Sequence, residues 1–155
     1  MLFRSLQQDL TMRAEANWKT ALSALYRSRK MILGMVGGKC QTCGTAQFPK
    51  ADVCVNPACN AVNTQSDCEF ADQPGKVKTY TSDLLTYTPD PPAHYGMVTF
   101  ENGGRGMFDF TDYETGKVEV GLPVRMVFRI RNIDSQRKFT QYFWKAKPVI
   151  KQEEA

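Results

Sequence analysis

Four of the five cysteines in this 155-residue chain fall into two short pairs. Cys40 and Cys43 enclose two residues, Cys54 and Cys59 enclose four, and ten residues separate the pairs. Thiolates are good ligands for zinc, and two tight turns facing each other can bring four of them to the corners of a tetrahedron. Gly44 follows the first pair, where a left-handed backbone lets amides point at sulfur without steric cost. The pattern predicts a zinc ribbon ligated by Cys40, Cys43, Cys54 and Cys59; two disulfides or plain thiols are the alternatives. The odd cysteine, Cys68, and an N-terminus lacking a sustained apolar core and a small-residue cleavage site fit a reducing, cytoplasmic setting, and hence zinc. Four thiolates leave a tetrahedral ion no open position, so the expected metal is structural.

Little else is equipped for catalysis. The one histidine, His94, sits in a proline-rich stretch, and the chain has neither a nucleophile elbow nor a glycine-rich phosphate loop. Cys68 has no basic neighbour to lower its pKa, and Asp109, Asp112 and Glu114 read as groups that cap or solvate a turn. The expectation is a protein that is not itself an enzyme. Anion binding has better material. Val124, Met126, Phe128 and Ile130 alternate with Arg125, Val127, Arg129 and Arg131, so a strand here has one core face and one basic face. In the next strand Tyr142 and Trp144 share a face, opposite Phe139, Gln141, Phe143 and Lys145. Arg125, Arg129 and Arg131 beside aromatics suit the phosphates and adenine of coenzyme A, or single-stranded nucleic acid; the bland alternative is a solvated outer face over an aromatic core. A net charge of +4 does not mark a dedicated nucleic-acid binder.

Three kinds of element must position these groups. From Ser5 to Lys30 the chain lacks Pro and Gly and repeats apolar residues at helical spacing: Leu6, Leu10, Ala14, Trp18, Leu22, Leu25 and Tyr26. One continuous helix of about 25 residues would span roughly 38 Å, longer than a small barrel can cover. It folds back on its own domain as two shorter helices, or its stripe, Trp18, Leu22, Leu25 and Tyr26 included, docks on another subunit. Gly34, Gly37 and Gly38 end it and lead into the first cysteine turn, with Phe48 expected beneath the metal. From Cys59 to Pro74 the chain reads as polar and turn-rich. Short β-branched and aromatic runs then predict strands at 76–82, 84–88, 95–101, 105–110, 124–131 and 140–146, with a tight hairpin at Glu101–Arg105. The loop from Thr86 to Tyr95 carries Pro89, Pro91, Pro92 and His94 and offers a stiff surface for a partner. The expected architecture is mainly β with an N-terminal helix: a helical segment (1–33), a rubredoxin-like zinc ribbon (34–70) and a small OB-fold barrel (71–155). No apolar run is long enough to cross a bilayer.

The helix with a central aromatic, Cys40-Gln41-Thr42-Cys43-Gly44 followed by Phe48-Pro49, the second cysteine pair, Tyr95-Gly96-Met97-Val98 and Gly121-Leu122-Pro123-Val124 together resemble the acyl-CoA-associated zinc-ribbon and OB-fold family. The likeness runs from about Trp18 to Pro148. Tyr87-Thr88-Pro89-Asp90-Pro91-Pro92 and Tyr142-Phe143-Trp144-Lys145 are more similar to members that accompany thiolase-like and hydroxymethylglutaryl-CoA-synthase-like enzymes. The resemblance implies a non-catalytic companion subunit in a hetero-oligomer. The partner would carry the nucleophile, and this chain would stabilise it or line the channel for a coenzyme A thioester. A single-stranded nucleic-acid-binding OB-fold protein is the alternative function.

Overall fold

The computed structural model describes residues 22–149 except 87, 89, 90, 115 and 136. Two short helices come first, α1 (Leu22–Arg27) and α2 (Arg29–Gly34). The helical reading therefore extends four residues past Lys30 and is jointed near Ser28; its part before Leu22, Trp18 included, lies outside the described residues. The stop is Met35, which takes the left-handed conformation at φ 49° while its amide bonds to Lys30 O. Gly34 is helical, so the glycines do not themselves terminate the helix. Burial explains the choice of methionine at that strained position, because Met35 is fully buried in the core.

The ribbon is a three-stranded antiparallel sheet, ordered β2-β1-β3, of β1 (Val36–Cys40), β2 (Ala46–Gln47) and β3 (Gln65–Glu69). β3 lies within the stretch read as polar and turn-rich and is a strand that reading did not include. Its sequence QSDCE has no apolar alternation, and its strand character comes from pairing residue for residue with β1, Val36 opposite Glu69 through Cys40 opposite Gln65.

The barrel contains β4 (Gly75–Val77), β5 (Thr81–Asp83), β6 (Ala93–Phe100), β7 (Arg105–Phe110), β8 (Pro123–Asp134) and β9 (Phe139–Pro148). Neighbours run β4-β8-β9-β7-β6, and β4 also pairs with β6, so five strands close a ring while β5 extends β6 at an edge. All pairings are antiparallel except β7 with β9, which is parallel. That single parallel closure in a five-stranded ring is the OB-fold arrangement. The run 76–82 divides where Thr79 crosses β6, and the expected strand at 84–88 is absent from the described residues 84–86. There the Asp83 carboxylate accepts the amides of Leu85 (2.7 Å) and Thr86 (3.1 Å), a local turn that competes with sheet pairing. The Glu101–Arg105 hairpin forms as expected, with Gly103 at φ 95°.

The crossing at Thr79 leaves no room on β6. A Cβ on Gly96 would stand 2.0 Å from the Thr79 carbonyl oxygen. We expect Gly96→Ala to destabilise the fold by about 1–3 kcal/mol or more, read as a lower urea midpoint; an unchanged midpoint would show that the two segments separate freely.

Ribbon and barrel share one core. Met35, Ala46 and Phe70 join Val77, Val98, Phe100, Phe108, Phe110, Val118, Val124, Met126 and Ala146 in a single cluster. Phe48 packs here, its ring 5.5 Å from Phe70 and 5.8 Å from Phe108.

Candidate metal centre and basic ribbon

The four paired cysteines converge. Their sulfurs lie within 4.8 Å of one another, with Cys40 and Cys59 at 3.9 Å and Cys43 and Cys54 at 3.5 Å. Metal–sulfur bonds of about 2.3 Å in a tetrahedron require sulfurs about 3.8 Å apart. The donor set therefore fits a four-coordinate ion.

Each turn is shaped by its own residues. In the first, the Gly44 amide bonds back to Cys40 O at 2.8 Å and Gly44 takes φ 75°, as its position after the cysteine pair anticipates. In the second, Asn56 organises the longer spacing. Its carbonyl accepts the amides of Cys59 and Asn60, its side chain accepts the amide of Ala58 at 3.0 Å, and Asn60 supplies the left-handed residue at φ 47°. The two extra residues are thus wound into a turn that returns Cys59 to the site. Gln47, buried and polar, ties this loop to β2: its side-chain amide donates to Ala51 O and Val53 O, and its oxygen accepts the Val55 amide at 3.0 Å. Neither role was read in advance; a glutamine just after a cysteine pair and an asparagine inside the next are weak signals by themselves.

The thiols are electrostatically unequal. The Thr64 hydroxyl, 3.3 Å from Cys40 Sγ, and the Cys43 backbone amide bring Cys40 down to about 6. Thr45 lowers Cys43. At Cys54 the Asn56 amide pulls downward, yet burial and the sulfurs of Cys43 and Cys40 together push the thiol up to about 12. Cys59 is raised by the same opposition. A cation at the centre removes the conflict that holds the last two protons on.

α2 is strapped to the ribbon beside this centre. Asp67 on β3 accepts Lys30 Nζ at 2.7 Å and Lys50 Nζ at 2.6 Å, and Lys30 with Lys50 hold its carboxyl down at about 2. A carboxylate depressed in the folded state contributes stability above its unfolded pKa of about 3.9 and loses it as pH falls toward about 2. Asp67→Asn should therefore separate from the wild type in denaturation midpoint at pH 6, and the gap should narrow below about pH 4 and close as pH falls through about 2. A gap that persists at acid pH would assign the effect to something other than the ion pairs.

The arginines do not form one uniform patch. Arg129 pairs with Asp112 at 3.3 Å, and Asp112 also takes Lys147 at 2.7 Å, so the acid placed at the turn neutralises part of the basic face. Arg125 is exposed and lies opposite Lys147 in the β8–β9 register; Arg131 sits at the bulge between Ile130 and Asn132. The apolar face also divides. Val124 and Met126 are buried, whereas Phe128 and Ile130, further along the same face, are exposed. Tyr142 and Trp144 lie opposite them, with Phe128 stacked on Tyr142 at 5.0 Å and tilted on Trp144 at 4.9 Å.

Of the residues read as partner contacts, Leu22 and Tyr26 are exposed and Leu25 is half-buried. Pro91 is exposed, Pro92 is half-buried, and Pro89 lies outside the described residues. His94 is half-buried, its Nδ1 2.9 Å from the Ser82 hydroxyl across the β5–β6 pair. Leu84 and Leu85, adjoining this loop, stand almost wholly in solvent. None of the described helices is long and apolar enough to cross a membrane.

Known proteins match this arrangement. A family model described as the C-terminal OB-fold domain of ChsH2 matches residues 69–129. A DUF35 domain-containing scaffold protein of Pyrococcus furiosus is 34% identical over 139 residues, covering 85% of this chain and 96% of its own. Its counterpart in Methanocaldococcus jannaschii is 28% identical over 129 residues, covering 80% and 88%. Among solved structures, a chain of an Ltp2-ChsH2(DUF35) aldolase superposes with a TM-score of 0.60 at 19% identity, covering 86% of this chain and 98% of that one. A DUF35-family protein of unknown function from Sulfolobus solfataricus superposes at 0.50 with 18% identity, covering 93% and 98%. The two structures speak to the fold; the long match at 34% identity speaks to kinship. The chain belongs to the family of DUF35 domain-containing scaffold proteins.

Proposed function

We propose that this protein is a non-catalytic accessory subunit of a thiolase-fold enzyme complex acting on acyl-CoA thioesters by acyl transfer, condensation or retro-aldol cleavage. The observation that carries the reading is the near full-length match to proteins named as scaffolds. A chain of the same fold in an Ltp2-ChsH2(DUF35) aldolase agrees with it. The partner is a thiolase-like or hydroxymethylglutaryl-CoA-synthase-like protein, and this subunit stabilises it and borders its coenzyme A channel. The four-sulfur centre holds zinc in a structural role: all four positions are taken by protein, so the ion clamps the two cysteine turns and orients no substrate. The cytoplasm is the matching compartment, because thiolates persist there. The exposed leucines beside the proline loop, the apolar side of α1 and Arg125 are the contacts on offer to enzyme and coenzyme A phosphate.

Affinity purification of the natively expressed protein, with co-purifying chains identified and metal quantified, tests this directly. The expected result is a thiolase-like or synthase-like enzyme together with about one zinc per chain. The alternative, single-stranded nucleic-acid binding, is favoured by the basic face of β8. It would replace the first reading if nucleic acid were recovered without such an enzyme and its affinity fell steeply with salt through Arg125, Arg129 and Arg131.

A further inference from the structure

The β8–β9 hairpin outgrows the barrel. β4 pairs with β8 only at Val124 and Pro123, and β7 pairs with β9 only at Lys145 and Ala146. From Phe128 to Asp134 and from Phe139 to Trp144 the two strands pair with each other and with no other strand among the described residues. α2 packs against β9, but a two-stranded ribbon with no further strand beside it is marginal in water, so an arm of this length calls for a further covering surface.

Its apolar face is built with care. The bulge between Ile130 and Asn132 shifts the alternation by one, so that Ile133, opposite Thr140, joins the side occupied by Ile130, opposite Tyr142. Without the bulge Ile133 would turn to the other side. The result is a contiguous set of Phe128, Ile130, Ile133 and Tyr142, with Ile130 54% and Ile133 64% exposed. The charge is equally uneven. Within the arm, residues 128–144, four lysines and arginines face a single acid, Asp134, a local charge of +3 in a chain whose net charge is +4. Asp134 is already engaged by Arg137 at 2.6 Å, and Asp112, from outside the arm, engages Arg129 and Lys147. Arg131 and Lys138 remain exposed beside the apolar set.

We propose that this arm is the element by which the scaffold grips its enzyme subunit, its aromatic and aliphatic face seated in an apolar groove bordered by aspartate and glutamate. The inference rests on the accessory-subunit reading and names the surface through which it operates. Charge selects the occupant. Two copies of this chain meeting through their arms would bring two cationic ribbons together, which like-charge repulsion disfavours. Single-stranded nucleic acid would match the charge, but Phe128 lies between Tyr142 and Trp144, its ring committed to its neighbours, and Ile130 and Ile133 offer no face on which a base can stack. An acid-rimmed apolar groove on a protein satisfies both features.

The test uses full-length, metal-loaded protein purified from its source cells as wild type, Ile130→Ser/Ile133→Ser, and Arg131→Glu/Lys138→Glu. The substituted side chains are exposed, so the fold is retained, and circular dichroism melting verifies it. Val120→Ser, at an exposed position in the turn before β8, serves as control. Recovery of the thiolase-like enzyme should fall at least ~10-fold in both double variants and remain at wild-type level in the control. A photoreactive benzoylphenylalanine at position 130 should cross-link to that enzyme. If wild type recovers the enzyme and both double variants recover it equally, the arm is not the grip, and the accessory-subunit reading stands without it. If wild type recovers no such enzyme, that reading itself fails. Cross-links to a second copy, to the chain's own residues 1–21 or to nucleic acid would overturn the proposed occupant.

Discussion

Cys54→Ser should abolish metal binding and unfold the loop from Phe48 to Thr64, with a loss of stability on the order of 4–5 kcal/mol or more. The loop has little apolar support of its own: Val53, Val55 and Val62 are exposed, and besides sulfur it is held by polar contacts, among them the Val53–Val62 bridge, the Asn63 amide on Asp52 O, the Gln47 side chain and the Lys50–Asp67 ion pair. Cys54 itself is buried, so the variant also leaves a hydroxyl in a site shaped for a metal-bound sulfur. The loss should reach the barrel, because Ala46 and Met35 border the ribbon and belong to the common core. Thermal melting followed by circular dichroism, with metal content measured on the same sample, checks this. A chelated wild type with an unchanged melting temperature would show that the sulfurs do not depend on an ion. The pH dependence has a definite sign. At neutral pH a metal must displace the protons held on Cys54, pushed up to about 12, and on Cys59. Below the value of about 6 at Cys40 it must displace a further one. Metal affinity should therefore fall as pH falls, with proton release measurable by calorimetry in buffers of different ionisation enthalpy.

Phe70→Ala should be the costliest substitution away from the sulfurs, about 3–5 kcal/mol. Its ring is fully buried between Phe48 and Phe100, at 5.5 Å and 5.3 Å. Two glycines make the slot that receives it. A Cβ on Gly37 of the ribbon would stand 2.5 Å from the ring, and one on Gly104 of the barrel hairpin 2.1 Å. The ring is thus held by both halves of the molecule, and its removal should do more than lower the urea midpoint. In a Trp18→Phe background, which leaves Trp144 as the single tryptophan, its fluorescence and metal release at the ribbon should cease to coincide once Phe70→Ala is added, whereas they coincide without it. Two coincident transitions in the variant would mean that the remaining contacts suffice to couple the halves. Gly104→Ala should mimic part of the effect by collision with the ring.

The four-cysteine cluster was legible in the sequence because pair spacing is a local property: two cysteines in one turn announce themselves, and Gly44 takes the left-handed conformation that its place after the first pair anticipates. The barrel strands were legible through alternation, and the OB-fold follows from their number and closure. β3 was not, since QSDCE carries no apolar rhythm; its pairing comes from the glycine-bearing β1 and its anchorage from Lys30 and Lys50 on Asp67. Alternation in β8 gave the correct sides for Phe128 and Ile130 but not their depth. Depth depends on whether neighbouring strands continue, and β4 and β7 stop early. Phe48 follows a cysteine turn in sequence yet packs on Phe70 and Phe108, partners that its position in the chain does not announce. The expected strand at 84–88 failed because Asp83 closes a turn that apolar content alone does not reveal.

Beyond Phe128 neither strand of the arm pairs with a further strand among the described residues, which makes its outer edges a template on which further strands could stack. Its lysines and arginines guard against that outcome. Copies approaching edge to edge repel one another while the Debye length is about 8 Å, and at 1 M salt, where it shrinks to about 3 Å, that protection largely disappears. Solubility of the free subunit should therefore be better at low ionic strength than at high, the reverse of ordinary salting-in. The charge that fits the arm for an acidic groove also keeps it from polymerising while the groove is empty.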